Sequence, residues 1–188
     1  MEARFSFLSF CALLIVAGIV APIAIVLHEY GHFLAFQYFG YSPVLHFDGC
    51  SVSGSNQIPS DSQAFVIAGA GIGFTVALSL LSLVVFYFVR HPVVFASGTV
   101  FAGRNIALLP LILFFGVDGG GDDRHLSAIL GLPEWSLYIL ILVVNFVTIG
   151  LLVKFAGKNQ KEMLLSTIIG GIVGVVSWLF WLGPSILP

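Results

Sequence analysis

Residues 5–36 read FSFLSFCALLIVAGIVAPIAIVLHEYGHFLAF. Apolar residues run without a charge from Phe5 to Leu27 and resume at Phe33. About 20 such residues cross the hydrocarbon core of a bilayer as a helix. Near the end of the run stands His28-Glu29-Tyr30-Gly31-His32, an H-E-x-x-H motif. Helical residues four apart point to nearly the same side, so His28 and His32 can share one metal ion. Glu29 is left free to act as a general base. Two neutral imidazoles and a loose carboxylate are what a hydrolytic zinc site needs. Ionisable side chains inside membrane helices are costly and mark function by default. A histidine pair satisfied within a helix bundle is the bland alternative.

The composition agrees with the membrane setting. The 188 residues are 59% hydrophobic and 9% charged, with a mean hydropathy of +1.08. Such a chain is expected to be an all-α polytopic membrane protein, one membrane-embedded domain over residues 1–188. A net charge of −2 argues against nucleic acid as a partner. Cys11 and Cys50 form no disulfide framework and lack metal-ligand spacing. The first apolar run is too long for a cleaved signal segment and reads as a retained helix.

Five apolar segments are long enough to cross: about Phe5–Gly40, Ala64–Val89, Pro92–Gly116, Trp135–Val153 and Met163–Leu182. Pro22 predicts a kink near Gly18 that divides the first segment, for five to six transmembrane helices in all. The polar loop Tyr41–Gln63 contains Val44–Phe47 and Cys50–Ser53 around Asp48-Gly49, which predicts a small β-hairpin. A second polar loop runs from Asp118 to His125. It leads into a short helix over Leu126–Leu132, capped by Asp122. Gly170, Gly171 and Gly174 form a small-residue stripe for helix contact.

Lysine and arginine placement orients the chain. With a cytoplasmic N-terminus, Arg4, Arg90, Lys154, Lys158 and Lys161 share the cytoplasmic side, and Arg124 lies opposite. The HEYGH motif and the aspartate-rich loop then reach the same face. A catalytic zinc takes three protein ligands and keeps one open position. Asp118, Asp122, Asp123, His125, His46, Asp48 and Glu134 are the candidates for the third. Arg104 and Asn105, inside an apolar segment, read equally as binders of a substrate backbone or developing oxyanion and as an interhelical pair. His125 reads as a solvated loop histidine before a positioning one.

The order of these features resembles the site-2 protease group of intramembrane zinc metalloproteases, the M50-like families. The resemblance covers most of the chain. It rests on HEYGH at 28–32 in an apolar helix, Gly40 and a short β-like loop, and Ala68-Gly69-Ala70-Gly71 at the start of the next span. An aspartate after the third core span completes it. Asp118-Gly119-Gly120 looks like the family's D-G-G, with Asn105 and Pro110 upstream. Gly121-Asp122-Asp123-Arg124-His125-Leu126-Ser127, followed by Gly131-Leu132-Pro133, looks like the pattern of divergent members. Asp122 is preferred and Asp118 is the alternative.

Membership implies that His28, His32 and one aspartate bind Zn2+ while Glu29 activates water. The expected function is a zinc-dependent intramembrane endopeptidase acting on membrane-protein substrates, with a homo-oligomer open. The alternative is a non-proteolytic membrane protein with a structural or sensory zinc, closed by a fourth ligand such as His125. A metalloprotease class using a downstream E-x-x-x-D is disfavoured, since neither Glu134 nor Glu162 is followed by that aspartate.

Overall fold

The chain folds as a bundle of long helices with one two-stranded sheet at the end that holds the motif. The structure, a computed structural model, describes residues 6–52, 59–115 and 121–187, with backbone alone over 108–115. Arg4, Ser53 and Asp118, with its Asp-Gly-Gly stretch, lie outside the described residues.

Helix α1 spans Phe7–Tyr38 and begins on Ser6, whose hydroxyl accepts from the Ser9 N–H at 3.1 Å. It runs unbroken through Pro22, where the sequence predicted a division. Proline leaves the Gly18 carbonyl without its usual donor. That carbonyl lies against Gly174 of helix α6, Gln160–Ser177, where an added Cβ would come within 2.2 Å of it. An added Cβ on Gly170 would come as close to the Leu14 carbonyl. Gly170 and Gly174 of the expected stripe therefore form the seam between α1 and α6, while Gly171 faces Val100 of α3. Close backbone approach of this kind drives association where lipid removes the hydrophobic incentive.

After α1 come β1, Pro43–Leu45, and β2, Cys50–Val52, paired antiparallel with Leu45 opposite Cys50. The His46 N–H donates to the Gly49 carbonyl at 2.8 Å and closes the turn expected at Asp48-Gly49. The hairpin tip is pinned to the far end of α6, where the Trp178 indole N–H donates to the Phe47 carbonyl at 2.8 Å.

Helix α2, Asp61–Val89, starts in a capping box between Ser60 and Gln63. It stops at Arg90, which takes a left-handed conformation at φ 54°. Helix α3, Pro92–Phe115, follows at once. Helix α4, Asp122–Ile129, is short. Helix α5, Ser136–Ala156, ends at Gly157, where φ is +69° and the chain reverses into α6. Beyond α6 a wider turn over Trp178–Leu182 leads to the short α7, Gly183–Ile186.

Successive helices run in opposite directions, so the bundle has two distinct ends. At one end Leu13, Phe86, Phe95, Ala96, Leu152 and Met163 form a single apolar cluster. There the Arg90 guanidinium donates to the Phe155 carbonyl at 2.6 Å and lies over the Phe86, Tyr87 and Phe155 rings. Arg90 thus ties the α2–α3 junction to the α5–α6 junction. The HEYGH segment, the start of α2, Arg104 and α4 gather at the opposite end. Midway, the hydroxyls of Ser79, Thr148, Ser166 and Thr167 are buried and bond carbonyls of their own helices.

Among the described residues, three helical runs are long and apolar enough to cross a membrane: Phe7–Tyr38, Asp61–Val89 and Ser136–Ile186. The fourth and fifth expected segments both lie in the last run, and the third lies in α3.

Candidate metal centre

His28 and His32 lie on one buried face of α1, as their spacing predicts. Their Nε2 atoms are 3.2 Å apart. Asp122, from the first turn of α4, places Oδ2 3.0 Å from each. The sequence predicted Asp122 as the cap of its helix. Gly121 holds the cap position instead, with no side-chain cap bond, and the Asp122 carboxylate turns to the imidazoles. Burial would raise this carboxyl, but the two imidazoles beside it reverse the effect and hold it well below the usual carboxylate range. It stands as an anion.

The outer nitrogens of the histidines define which protons they carry. His32 Nδ1 is 2.7 Å from the Ile67 carbonyl, which can only accept, so Nδ1 is the donor. His28 Nδ1 is 3.0 Å from Thr75 Oγ1. That hydroxyl already donates to the Gly71 carbonyl at 3.0 Å, so it accepts from His28. With both imidazoles neutral, both Nε2 lone pairs face Asp122 Oδ2. Three acceptor atoms within 3.2 Å of one another repel unless a proton on one imidazole or a metal cation lies among them. A tetrahedral zinc with bonds of about 2.0–2.1 Å holds its ligand atoms about 3.3 Å apart. The trio therefore fits a small divalent ion with a slight expansion, and its donor set of two nitrogens and one oxygen is of the kind zinc takes.

Two glycines make the approach possible. An added Cβ on Gly31 would come within 2.8 Å of the Ala70 carbonyl, so α1 and α2 cross there backbone to backbone. An added Cβ on Gly71 would come within 2.3 Å of His32 Nε2 and 2.9 Å of His28 Nε2. Gly71 clears the space in front of both nitrogens. Sequence reasoning missed this role, as it missed Thr75 and the Ile67 carbonyl. The Ala-Gly-Ala-Gly stretch and a lone hydroxyl one turn further on were the available signals.

A cavity of about 680 Å³ adjoins the trio. His28, Glu29, His32 and Asp122 line it, together with Arg104, Asn105 and Tyr138 and the hairpin residues Gly49 and Cys50. Glu29 is nearly buried, and its Oε1 lies 3.6 Å from Arg104 Nη2. Its carboxylate is also close enough to the two histidines to serve as a ligand in its own right. The two-point contact of Asp122 with both Nε2 atoms makes Asp122 the better third donor.

The remaining candidates are placed as follows. Asp123 lines the cavity, and burial pushes its carboxyl up, with the charge of Asp122 adding. His125 is exposed at the cavity wall. His46 Nε2 is 2.7 Å from Ser51 Oγ within the hairpin. Glu134 pairs with Arg124, which also lies over the Trp135 ring. Burial, with the Glu29 charge behind it, pushes the Cys50 thiol up to about 11, so it stays protonated and is a poor metal ligand.

The chain matches no family model. No solved structure matches it. It is similar to a protein of Pyrococcus woesei described as an uncharacterized protein in the gap 3'region, with 31% identity over 97 residues. The match covers 48% of this chain and 64% of that protein, so the chain spans just under two thirds of this relative's length.

Proposed function

We propose that this chain is a metal-dependent endopeptidase embedded in a membrane, related to the site-2 proteases, with Zn2+ as its metal. One observation carries the reading. Two lone pairs from α1 and a carboxylate from α4 converge on one point, beside a cavity that also holds the Glu29 carboxylate.

His28, His32 and Asp122 would hold the ion. The chemistry zinc supplies when bound is Lewis acidity, which makes water a nucleophile near neutral pH and polarises a carbonyl. Glu29 takes the proton of the attacking water and delivers it to the amine that leaves. The Ile67 carbonyl and Thr75 keep the imidazole rings aimed and in the tautomer that leaves Nε2 free. With His125 exposed at the wall, the set supports three protein ligands and an open side, which favours catalysis over a closed structural ion.

Five crossings by α1, α2, α3, α5 and α6 suit the alternating directions of these helices. The end holding Arg90, Lys154, Lys158 and Lys161 is then cytoplasmic and the metal end faces away. Substrates are membrane-protein segments that unwind locally, because a hydrogen-bonded helix shields its peptide bonds.

The test uses purified protein in detergent micelles, loaded with Zn2+ and offered dye-labelled casein as an unfolded chain. Wild type is expected to cleave it and Glu29→Gln to leave it intact at unchanged zinc content. Equal cleavage by the two would sink the proposal.

A further inference from the structure

We propose that Arg104 is a catalytic residue whose guanidinium binds the scissile carbonyl oxygen as that oxygen takes on negative charge. The inference rests on the peptidase reading and assigns a second electrophile to the same cavity. Arg104 lies in α3, inside the bundle, with its side chain 21% exposed, and it lines the cavity together with Glu29, His28 and His32.

Its partners among the described residues are weak. Glu29 Oε1 at 3.6 Å is beyond hydrogen-bond reach, and Asn105 Oδ1 at 3.4 Å is at the limit. A guanidinium carries five N–H donors, and no Arg104 nitrogen is sealed in the interior without a partner, so its unspent donors open to the cavity. A residue meant only to neutralise Glu29 would close onto it in a two-point pair. Arg104 instead keeps donors free beside the cavity. Its helix turn is held there by the Tyr138 hydroxyl, which donates to the Asn105 carbonyl at 3.2 Å.

Three other donors near the metal trio are engaged, while the Asn105 amide and the His125 ring also line the cavity. The two histidine Nδ1–H groups point away to Thr75 and Ile67, and Tyr138 is spent on Asn105. During hydrolysis the water oxygen bonds to the carbonyl carbon, and the C=O π pair moves onto the carbonyl oxygen. Glu29 takes the water proton. The C–N bond then breaks as the pair returns, and the proton goes to the amine. Arg104 transfers nothing. It donates hydrogen bonds to the oxygen while the charge is there, the placement that lowers a barrier most.

The experiment compares wild type, Glu29→Gln, Arg104→Gln and Arg104→Lys, each zinc-loaded in micelles. Zinc content, casein cleavage and affinity for two probes are measured. An N-phosphoryl dipeptide presents a tetrahedral anion, and acetohydroxamate presents a chelator without one. Arg104→Gln is expected to keep its zinc and its acetohydroxamate affinity. It is expected to bind the phosphoryl dipeptide at least about tenfold more weakly and to lose about 10²–10³ in kcat with little change in KM. Arg104→Lys, which retains the charge, should recover part of both losses, and it decides the matter if Arg104→Gln fails to fold. Unchanged phosphoryl affinity, or a loss confined to KM, overturns the proposal while wild type and Glu29→Gln still differ. A wild type no more active than Glu29→Gln overturns the peptidase reading and this inference with it.

Discussion

The Nδ1 of His28 lies 3.0 Å from the Thr75 hydroxyl, whose own proton is committed to the Gly71 carbonyl. One side chain on α2 thereby sets the tautomer of a histidine on α1. Thr75→Val keeps the shape and removes the acceptor. Zinc affinity is expected to fall about 10- to 100-fold, as when other groups that orient metal-binding histidines are removed. Thr75→Ser should stay close to wild type. Competition against a fluorescent zinc chelator measures both.

Gly71 and Gly69 differ by two residues and should respond in opposite ways. A methyl on Gly71 would meet the Nε2 atoms of both His32 and His28, and one on Gly69 meets nothing within 4 Å. Gly71→Ala is expected to abolish zinc binding in protein that still folds. Gly69→Ala should bind zinc as wild type does. Metal content after gel filtration separates the two.

Asp122 and Asp118 are the rival candidates for the proposed third ligand. Asp122→Ala is expected to lose zinc to a chelator that wild type resists, because only two imidazoles would remain. Asp118→Ala should retain its zinc. The reverse pattern would move the site to the Asp-Gly-Gly stretch. Elemental analysis after dialysis against chelator reads the outcome.

The seam of α1 and α6 predicts a stability effect remote from the metal. An added Cβ on Gly174 would lie 2.2 Å from the Gly18 carbonyl. Gly174→Ala should cost about 1–3 kcal/mol through forced separation of the helices. Gly150→Ala, with nothing within 4 Å of the added methyl, is the control. Thermal unfolding in micelles compares them.

Much of the arrangement was legible in the sequence because it is local. The shared face of His28 and His32 follows from helical spacing, and the hairpin around Asp48-Gly49 follows from turn chemistry. The glycine stripe of α6 was readable because small residues at that spacing have few other uses in a membrane helix. What was illegible depends on another part of the chain. Pro22 predicts a kink that divides the first segment, and α1 continues as one helix through it with the freed Gly18 carbonyl against Gly174 of a distant helix. The resemblance singles out Asp122 as a ligand, but its place in a helix's first turn by itself reads as a cap, and packing is what turns its carboxylate to the histidines. The Ile67 carbonyl carries no side-chain signal at all. The balance between Arg104 as an ion-pair partner and as a binder of charge was open in the sequence. The looseness of its contact with Glu29 tips it towards the second.

The proposed site is a zinc held by His28, His32 and Asp122 with one side open to the cavity. X-ray absorption at the zinc edge of the loaded wild-type protein tests it most directly. Two imidazole nitrogens and oxygen neighbours at about 2.0–2.2 Å are expected, with one oxygen neighbour lost or replaced in Asp122→Ala. A sulfur neighbour, a third imidazole, or a spectrum unchanged in Asp122→Ala would contradict it.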